Sequence, residues 1–232
     1  MAKAKTAYVC NQCGAEHVRW QGQCAELRGE ELPTTEPLTL ATPRSRCPHC
    51  GHVLRWHENL PLLGWLRLKG RCSACGAAIS GRYPLVELAT GVLFAACGWK
   101  FGAQAQTLLW CAAIALMVAM ALIDLDTTYL PDDLTLPLIG LGLLGAGLGW
   151  TGTRLEDAAW GAFAGYGALW LLAFSYKKIR GVDGMGEGDF KLLAGLGALL
   201  GWQLLPSIVL LASAVGAAVG IGLIAFGGHK RE

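Results

Sequence analysis

Charge is what this chain has least of. Only 16% of its 232 residues are Asp, Glu, Lys or Arg, against 53% hydrophobic, whereas soluble domains average about 25% charged. A disordered or collagen-like chain is excluded by the same figures, since disorder needs low hydrophobicity and a large net charge. The formal net charge of +2 is too small for a polyanion-binding surface, so no nucleic-acid partner is expected. No G-x-x-x-x-G-K-[ST] loop occurs, which removes an ATPase of that kind. The nine cysteines do not read as a secreted disulfide scaffold, because four of them form two C-x-x-C pairs in a very apolar chain.

The scarce charge is unevenly spread. Residues 1–83 hold 17 of the 36 charged side chains, and none falls in 101–123, 134–153, 158–176 or 192–229. A bilayer-spanning helix needs about 20 mainly apolar residues. The first three runs therefore predict one span each, and the fourth, interrupted by Trp202-Gln203 and Pro206, predicts two, at 190–205 and 206–227. A further apolar segment, 84–100, carries Glu87 near its start. The expected fold class is an all-α integral membrane protein of about six transmembrane helices, because lipid leaves open backbone groups unsatisfied. Trp99, Trp110, Trp150 and Trp202 fall near span ends, where interfacial anchors sit. Runs such as GLGLLGAGLG at 140–149 suit close helix packing better than a nucleotide loop.

Six spans put both termini on one side. That side collects the 1–83 region, Lys177, Lys178, Arg180 and the Lys230-Arg231 tail, so the positive-inside rule makes it cytoplasmic. No cleavable signal peptide precedes the first span, which leaves the N-terminal region on that side too. The basic residues Arg44, Arg46, Arg55, Arg67, Lys69, Arg71 and Arg82 are expected to face anionic headgroups, each adding about 1 kcal/mol near the surface.

Two motifs in the polar first third carry metal chemistry. CPHC supplies Cys47 and Cys50, and CSAC supplies Cys72 and Cys75, each pair followed by Gly. Two such turns can close a tetrahedral thiolate site, and a reducing compartment favours zinc over disulfides. His49, His52 and His57 lie nearby as substitute ligands. A closed four-cysteine site holds structural zinc and leaves no position for a reactive water.

Two carboxylates stand where the chain meets the membrane surface. Asp124 ends the 101–123 span, and Asp189, in Gly-x-Gly-Asp, opens the 190–205 span, 65 residues on at the same expected depth. Ionisable groups at a span's edge tend to face a polar cleft. Two that approach closely share a proton, so that one acts as general base toward water and the other as general acid toward a carbonyl. That is peptide hydrolysis without a metal or covalent intermediate. Asp126 competes with Asp124 for the role, Asp132 and Asp133 are placed for N-capping after Pro131, and Asp183 and Glu187 read as solvated loop charges. Gly184, Gly186 and Gly188 let the backbone near Asp189 approach a substrate strand.

With these motifs in order, the chain resembles the bacterial type IV prepilin peptidases, or leader peptidase/N-methyltransferases. The resemblance runs from about Cys24 to about residue 227. It is carried by PRSRCPHCGH at 43–52, ENLPLLGWLRLKGRC at 58–72, ISGRYPLVEL at 79–88, IDLDTTYLPDDLTLP at 123–137 and GEGDFKLLA at 186–194. It implies Asp124 rather than Asp126 as the first catalytic aspartate, Asp189 as the second, and zinc at Cys47, Cys50, Cys72 and Cys75. It also implies cleavage of the basic leader of prepilins and pseudopilins after a glycine, at the cytoplasmic face of the inner membrane. Methylation of the new N-terminus by S-adenosylmethionine would follow. Lys191 and Glu87 match family positions, with their roles open.

The start departs from that pattern. The family's usual first span, with its Gly-Ser-Phe-Leu-Asn stretch, has no counterpart, and residues 1–24 instead resemble the opening of a RadA-type zinc ribbon. Cys10, Cys13 and Cys24 supply three thiols there, and Cys24 is followed by Ala-Glu-Leu rather than a second C-x-x-C. The expected organisation is an atypical segment over 1–40, a cytoplasmic zinc knuckle over 41–83 and a transmembrane aspartic peptidase domain over 84–232. From another functional class, the same features would describe a membrane-anchored zinc-knuckle adaptor or assembly scaffold with structural aspartates.

Overall fold

The structure is a computed structural model that describes residues 8–9, 16–17, 45–47, 49–182 and 185–227. Cys10, Cys13, Cys24, Arg44, Asp183, Gly184 and the Lys230-Arg231 pair lie outside them. The chain divides into two compact units, Met1–Ile79 and Ser80–Glu232.

In the first unit, two-residue strands β1 (Tyr8–Val9) and β2 (Glu16–His17) pair antiparallel, Tyr8 opposite His17. The rest of its described part is two copies of one small turn joined by a helical segment. Arg46 bridges Val53 around the first C-x-x-C, and Arg71 bridges Ala78 around the second. In each, the first cysteine donates its amide across the turn (Cys47 to His52 O, Cys72 to Ala77 O, both 2.8 Å) and accepts from the glycine after the second cysteine. Those glycines, Gly51 and Gly76, have φ of +70° and +71°, a left-handed conformation that side chains resist. This is why both pairs are followed by Gly. Between the turns lies the short helix α1 (Leu63–Arg67). A Cβ on its Gly64 would strike the Glu58 carbonyl, and Trp65 covers Gly70 and donates Nε1–H to Ile79 O at 3.2 Å.

The second unit contains the six expected apolar helices, with shifted ends. They are α2 (Arg82–Phe101), α3 (Ala105–Thr127), α4 (Asp132–Gly147), α5 (Leu155–Arg180), α6 (Glu187–Leu200) and α7 (Leu205–Gly227). Among the described residues, four segments are long and apolar enough to cross a membrane: α2, α3, α5 and Trp202–Gly222, which takes in most of α7. The 16 residues of α4 and 14 of α6 span about 24 and 21 Å at about 1.5 Å per residue, short of the roughly 30 Å hydrocarbon core. The uncharged run 134–153 over-extends α4 because it ends in a turn, with Gly149 and Gly152 at φ of +71° and +75°. A glycine run looks uniformly apolar in a charge map, yet two of its members end the helix.

The short helix α6 lies between α4 and α5, with α3 on α4 and α2 on α3. Its packing depends on missing side chains. A methyl on Gly161 or Gly197 would strike the other's backbone carbonyl, one on Gly165 would meet the Leu193 carbonyl, and one on Gly142 would meet Ala198. Helices lacking Cβ at their crossing approach closely enough for dispersion to hold them together in lipid. The run 140–149 thus supplies helix contacts, at Gly142 and Gly145, while Gly140 and Gly147 face open space. Met120, Leu138 and Leu199 are the large apolar side chains most fully buried in this packing. By contrast α2 buries none of its residues, as a lipid-facing helix would.

The tryptophans divide. Trp99 is 93% exposed near the end of α2, as an interfacial anchor should be. Trp202 Nε1 and Gln203 Nε2 both donate to Asp157 Oδ1, at 3.0 and 2.9 Å, joining the α6–α7 turn to the start of α5. Trp110 and Trp150 instead pack against the core.

Candidate active site and metal centre

The four thiols predicted to bind metal come together. The sulfurs of Cys47, Cys50, Cys72 and Cys75 all lie within 4.8 Å of one another, with Cys47–Cys75 at 3.8 Å and Cys50–Cys72 at 3.9 Å. A tetrahedral ion with bonds of about 2.3 Å to sulfur sets its ligand atoms about 3.8 Å apart, so the cluster fits zinc. The turn amides favour a thiolate at the first cysteine of each pair, whereas burial and the neighbouring thiols push Cys50 up to about 12. Those of His49 and Cys50 draw the Cys47 thiol down to about 7, and those of Cys75 and Ala74 lower Cys72. None of the three histidines joins the cluster. His52 Nε2 lies 3.2 Å from Glu58 Oε2 and 3.4 Å from Ser73 Oγ, and His57 stands edge-on to Trp56. Glu58 is a feature the motif reading passed over. Its carboxylate, 7% exposed, accepts the Arg55 amide at 2.8 Å. The Ser73 hydroxyl, the Arg55 amide and His52 hold that carboxyl down to about 2.

The carboxylates of the second unit are sorted by their partners. Asp124 lies in the last turn of α3, which ends because Thr128 enters the left-handed region at φ 51° and donates its amide to Asp124 O at 2.7 Å. Tyr129, Leu130 and Pro131 then lead into α4. Asp189 sits in the first turn of α6, ahead of its apolar run and outside the four spanning segments, with Gly186 extended at the N-cap. Burial first, and then the negative charge of Asp124, raise the Asp189 carboxyl above the ordinary aspartate range. The charge of Asp124, 65 residues earlier in the sequence, thus contributes to the environment of Asp189.

The neighbouring acids are engaged elsewhere. Asp126 Oδ1 accepts Arg82 NH1 at 2.7 Å, and Arg82 NH2 also reaches the Leu122 carbonyl. Asp126 thereby ties the end of α3 to the start of α2, which separates it from Asp124. The N-cap of α4 is Pro131, with Asp132 and Asp133 inside the first turn, so the expected capping role is replaced by favourable placement at the helix dipole's positive end. Asp132 also accepts Lys191 Nζ at 2.6 Å, which gives Lys191 a partner the sequence left open. Glu187 is exposed in the first turn of α6. Gly188 has a different duty from the one expected. A Cβ there would lie 2.6 Å from Leu130 Cβ, so its bareness admits the chain's own α3–α4 turn. Opposite charges at two helix edges signalled these pairs only weakly, since nothing in the sequence aligned them.

Residues 111–221 match the type IV leader peptidase family, and residues 23–101 match the bacterial peptidase A24 N-terminal domain. A protein from Stutzerimonas stutzeri is 50% identical over 205 residues, covering 87% of this chain and 70% of the relative. The chain belongs to the type IV leader peptidase family. One relative from Aeromonas hydrophila is 50% identical over 218 residues, covering 92% of this chain and 74% of its own length. Another, from Pseudomonas aeruginosa, is 46% identical over 203 residues, with 87% and 70% covered. All three bear the name prepilin leader peptidase/N-methyltransferase. No solved structure matches the chain significantly. Both family matches embrace the pieces already described: the four-thiol cluster falls in the N-terminal match, and Asp124 and Asp189 in the leader peptidase match.

Proposed function

We propose that this chain is a membrane-embedded aspartic endopeptidase that removes the basic leader of type IV prepilins and pseudopilins, and that Asp124 and Asp189 are its catalytic pair. The observation supporting the pair is the Asp189 carboxyl, raised by burial and by the charge of Asp124. A raised carboxyl holds its proton to higher pH than an ordinary aspartate does, which suits the general-acid role. Asp189 then donates a proton to the scissile carbonyl oxygen while Asp124, as general base, takes one from the attacking water. The water oxygen bonds to the carbonyl carbon. Collapse of the tetrahedral intermediate returns the carbonyl, breaks the C–N bond and delivers a proton to the departing amine.

The site faces the cytoplasm of a bacterium's inner membrane in this reading, with both termini on that side. Supporting it, Lys177, Lys178 and Arg180 fill the last turn of α5, just ahead of α6 in the chain, and such clusters of basic residues mark the cytoplasmic side of a membrane. Cys47, Cys50, Cys72 and Cys75 would hold zinc as a structural ion that braces the first unit. S-adenosylmethionine is the expected methyl donor for the new N-terminus. Incubating the chain in membranes with a prepilin and labelled S-adenosylmethionine separates the two activities. Leader loss with label transfer supports both, leader loss alone restricts the chain to peptidase, and an intact prepilin refutes the proposal.

A further inference from the structure

We propose that the Asp132–Lys191 ion pair is a positioning clamp, which holds the turn leading from Asp124 against the helix end that carries Asp189. The inference rests on the peptidase reading above and assigns no chemistry to the pair itself. Three observations carry it. Lys191 Nζ meets Asp132 Oδ1 at 2.6 Å, with the lysine side chain 20% exposed. One turn before Lys191 on α6, bare Gly188 receives Leu130, which is 8% exposed and stands two residues before Asp132. One turn after Lys191, Gly195 receives Leu138 of α4. Residues 188, 191 and 195 thus form one stripe along α6, and 130, 132 and 138 are what it meets.

The clamp's place relative to the carboxylates decides its role. Lys191 follows Asp189 by two residues, a rotation of about 200° around an α-helix. The ammonium therefore points away from Asp189 and toward α4. Asp132 lies eight residues after Asp124, across a turn whose only buried side chain among its described residues is Leu130. A turn with one apolar anchor can pivot about it, and an ion pair on the far side of that anchor stops the pivot. Holding two reacting groups in register is worth much in rate, since a displacement of about 1 Å can cost about 10²-fold. A partly exposed ion pair contributes little to overall stability. Loss of the clamp should therefore appear in turnover before it appears in melting.

The test uses the full chain in lipid nanodiscs with a purified prepilin, reading kcat, KM and the melting temperature. Lys191→Met and Asp132→Asn should each lower kcat by about 10- to 100-fold, with KM within about twofold, because binding is left intact while alignment is lost. Lys191→Arg should recover most of the rate, and the exchanged pair D132K/K191D should exceed both single variants. Wild-type kcat in Asp132→Asn, the mildest change, would overturn the clamp even if Lys191→Met failed to fold. So would an exchanged pair that regains the melting temperature but not kcat. Asp124→Asn and Asp189→Asn run alongside. If they cleave, the peptidase assignment fails; if they are dead while the clamp variants turn over normally, only the clamp fails.

Discussion

Gly188→Ala puts a number on how tightly the two halves of the site are joined. The added methyl would stand 2.6 Å from Leu130 Cβ and 3.0 Å from Leu130 O, whereas carbon atoms settle at about 3.5–4.0 Å. The opposing atoms belong to the base of a side chain and to the backbone, so no rotamer change relieves the clash. Relief requires the α3–α4 turn and α6 to separate by about 1 Å, and Asp124 sits only four residues before Thr128 in that connection. A shift of this size at a reacting pair costs about 10²-fold in rate, equivalent to about 2.7 kcal/mol of barrier. Overpacking also destabilises the fold, by about 1–3 kcal/mol. Steady-state cleavage of a prepilin by purified Gly188→Ala should show the loss in kcat, with KM nearly unchanged. Adding Leu130→Gly removes the opposing Cβ and should regain part of that loss, as measured against Leu130→Gly alone. A kcat within threefold of wild type, or a double variant no better than Gly188→Ala, would refute this coupling.

Other outcomes follow from the same geometry. Gly197→Ala pushes a methyl onto the Gly161 carbonyl and should lower the melting temperature in detergent, at a cost of about 1–3 kcal/mol; an unchanged melting point would deny that α5 and α6 depend on bare backbone. Elemental analysis of the purified chain should find about one zinc bound through four thiolates. Cys72→Ser should lose it and raise hydrogen exchange over 45–79, whereas full retention of zinc would contradict the site. The Glu58 carboxyl drops from 4.5 to about 2 on folding, so its stabilisation is complete above the unfolded value and is lost as pH falls from about 4.5 toward 2. Glu58→Gln should therefore unfold more readily than wild type near neutral pH, with the gap closing below pH 4.5; a gap that widens in acid would reverse the assigned sign.

How far the sequence foretold this structure depended on the kind of signal. Uncharged runs of about 20 residues predicted the apolar helices because lipid tolerates little else. They misplaced the end of α4, since Gly149 and Gly152 are as uncharged as their neighbours and only their positive φ stops the helix. The C-x-x-C-Gly turns were legible, because thiolate spacing and a left-handed glycine are local demands, and the four thiols meet as that spacing implied. That Asp124 and Asp189 share one depth was readable from their places at two span edges, and their role as a pair remains the proposal above. What sequence could not supply was the sorting of acids by partner. Arg82 precedes Asp126 by 44 residues and Lys191 follows Asp132 by 59, and only the packed helices bring those charges together. Gly188 shows the same limit: its motif marked it as important, but its neighbour is the protein's own Leu130.

Cleavage in the proposed mechanism depends on one pair of carboxylates. Asp124→Asn, Asp189→Asn and Asp126→Asn, each in membranes with a prepilin and followed by mass spectrometry of the leader junction, test it most directly. The first two should leave the prepilin intact, while Asp126→Asn, which loses only an exposed ion pair with Arg82, should still cleave. Leader removal by either Asp124→Asn or Asp189→Asn would contradict the catalytic assignment.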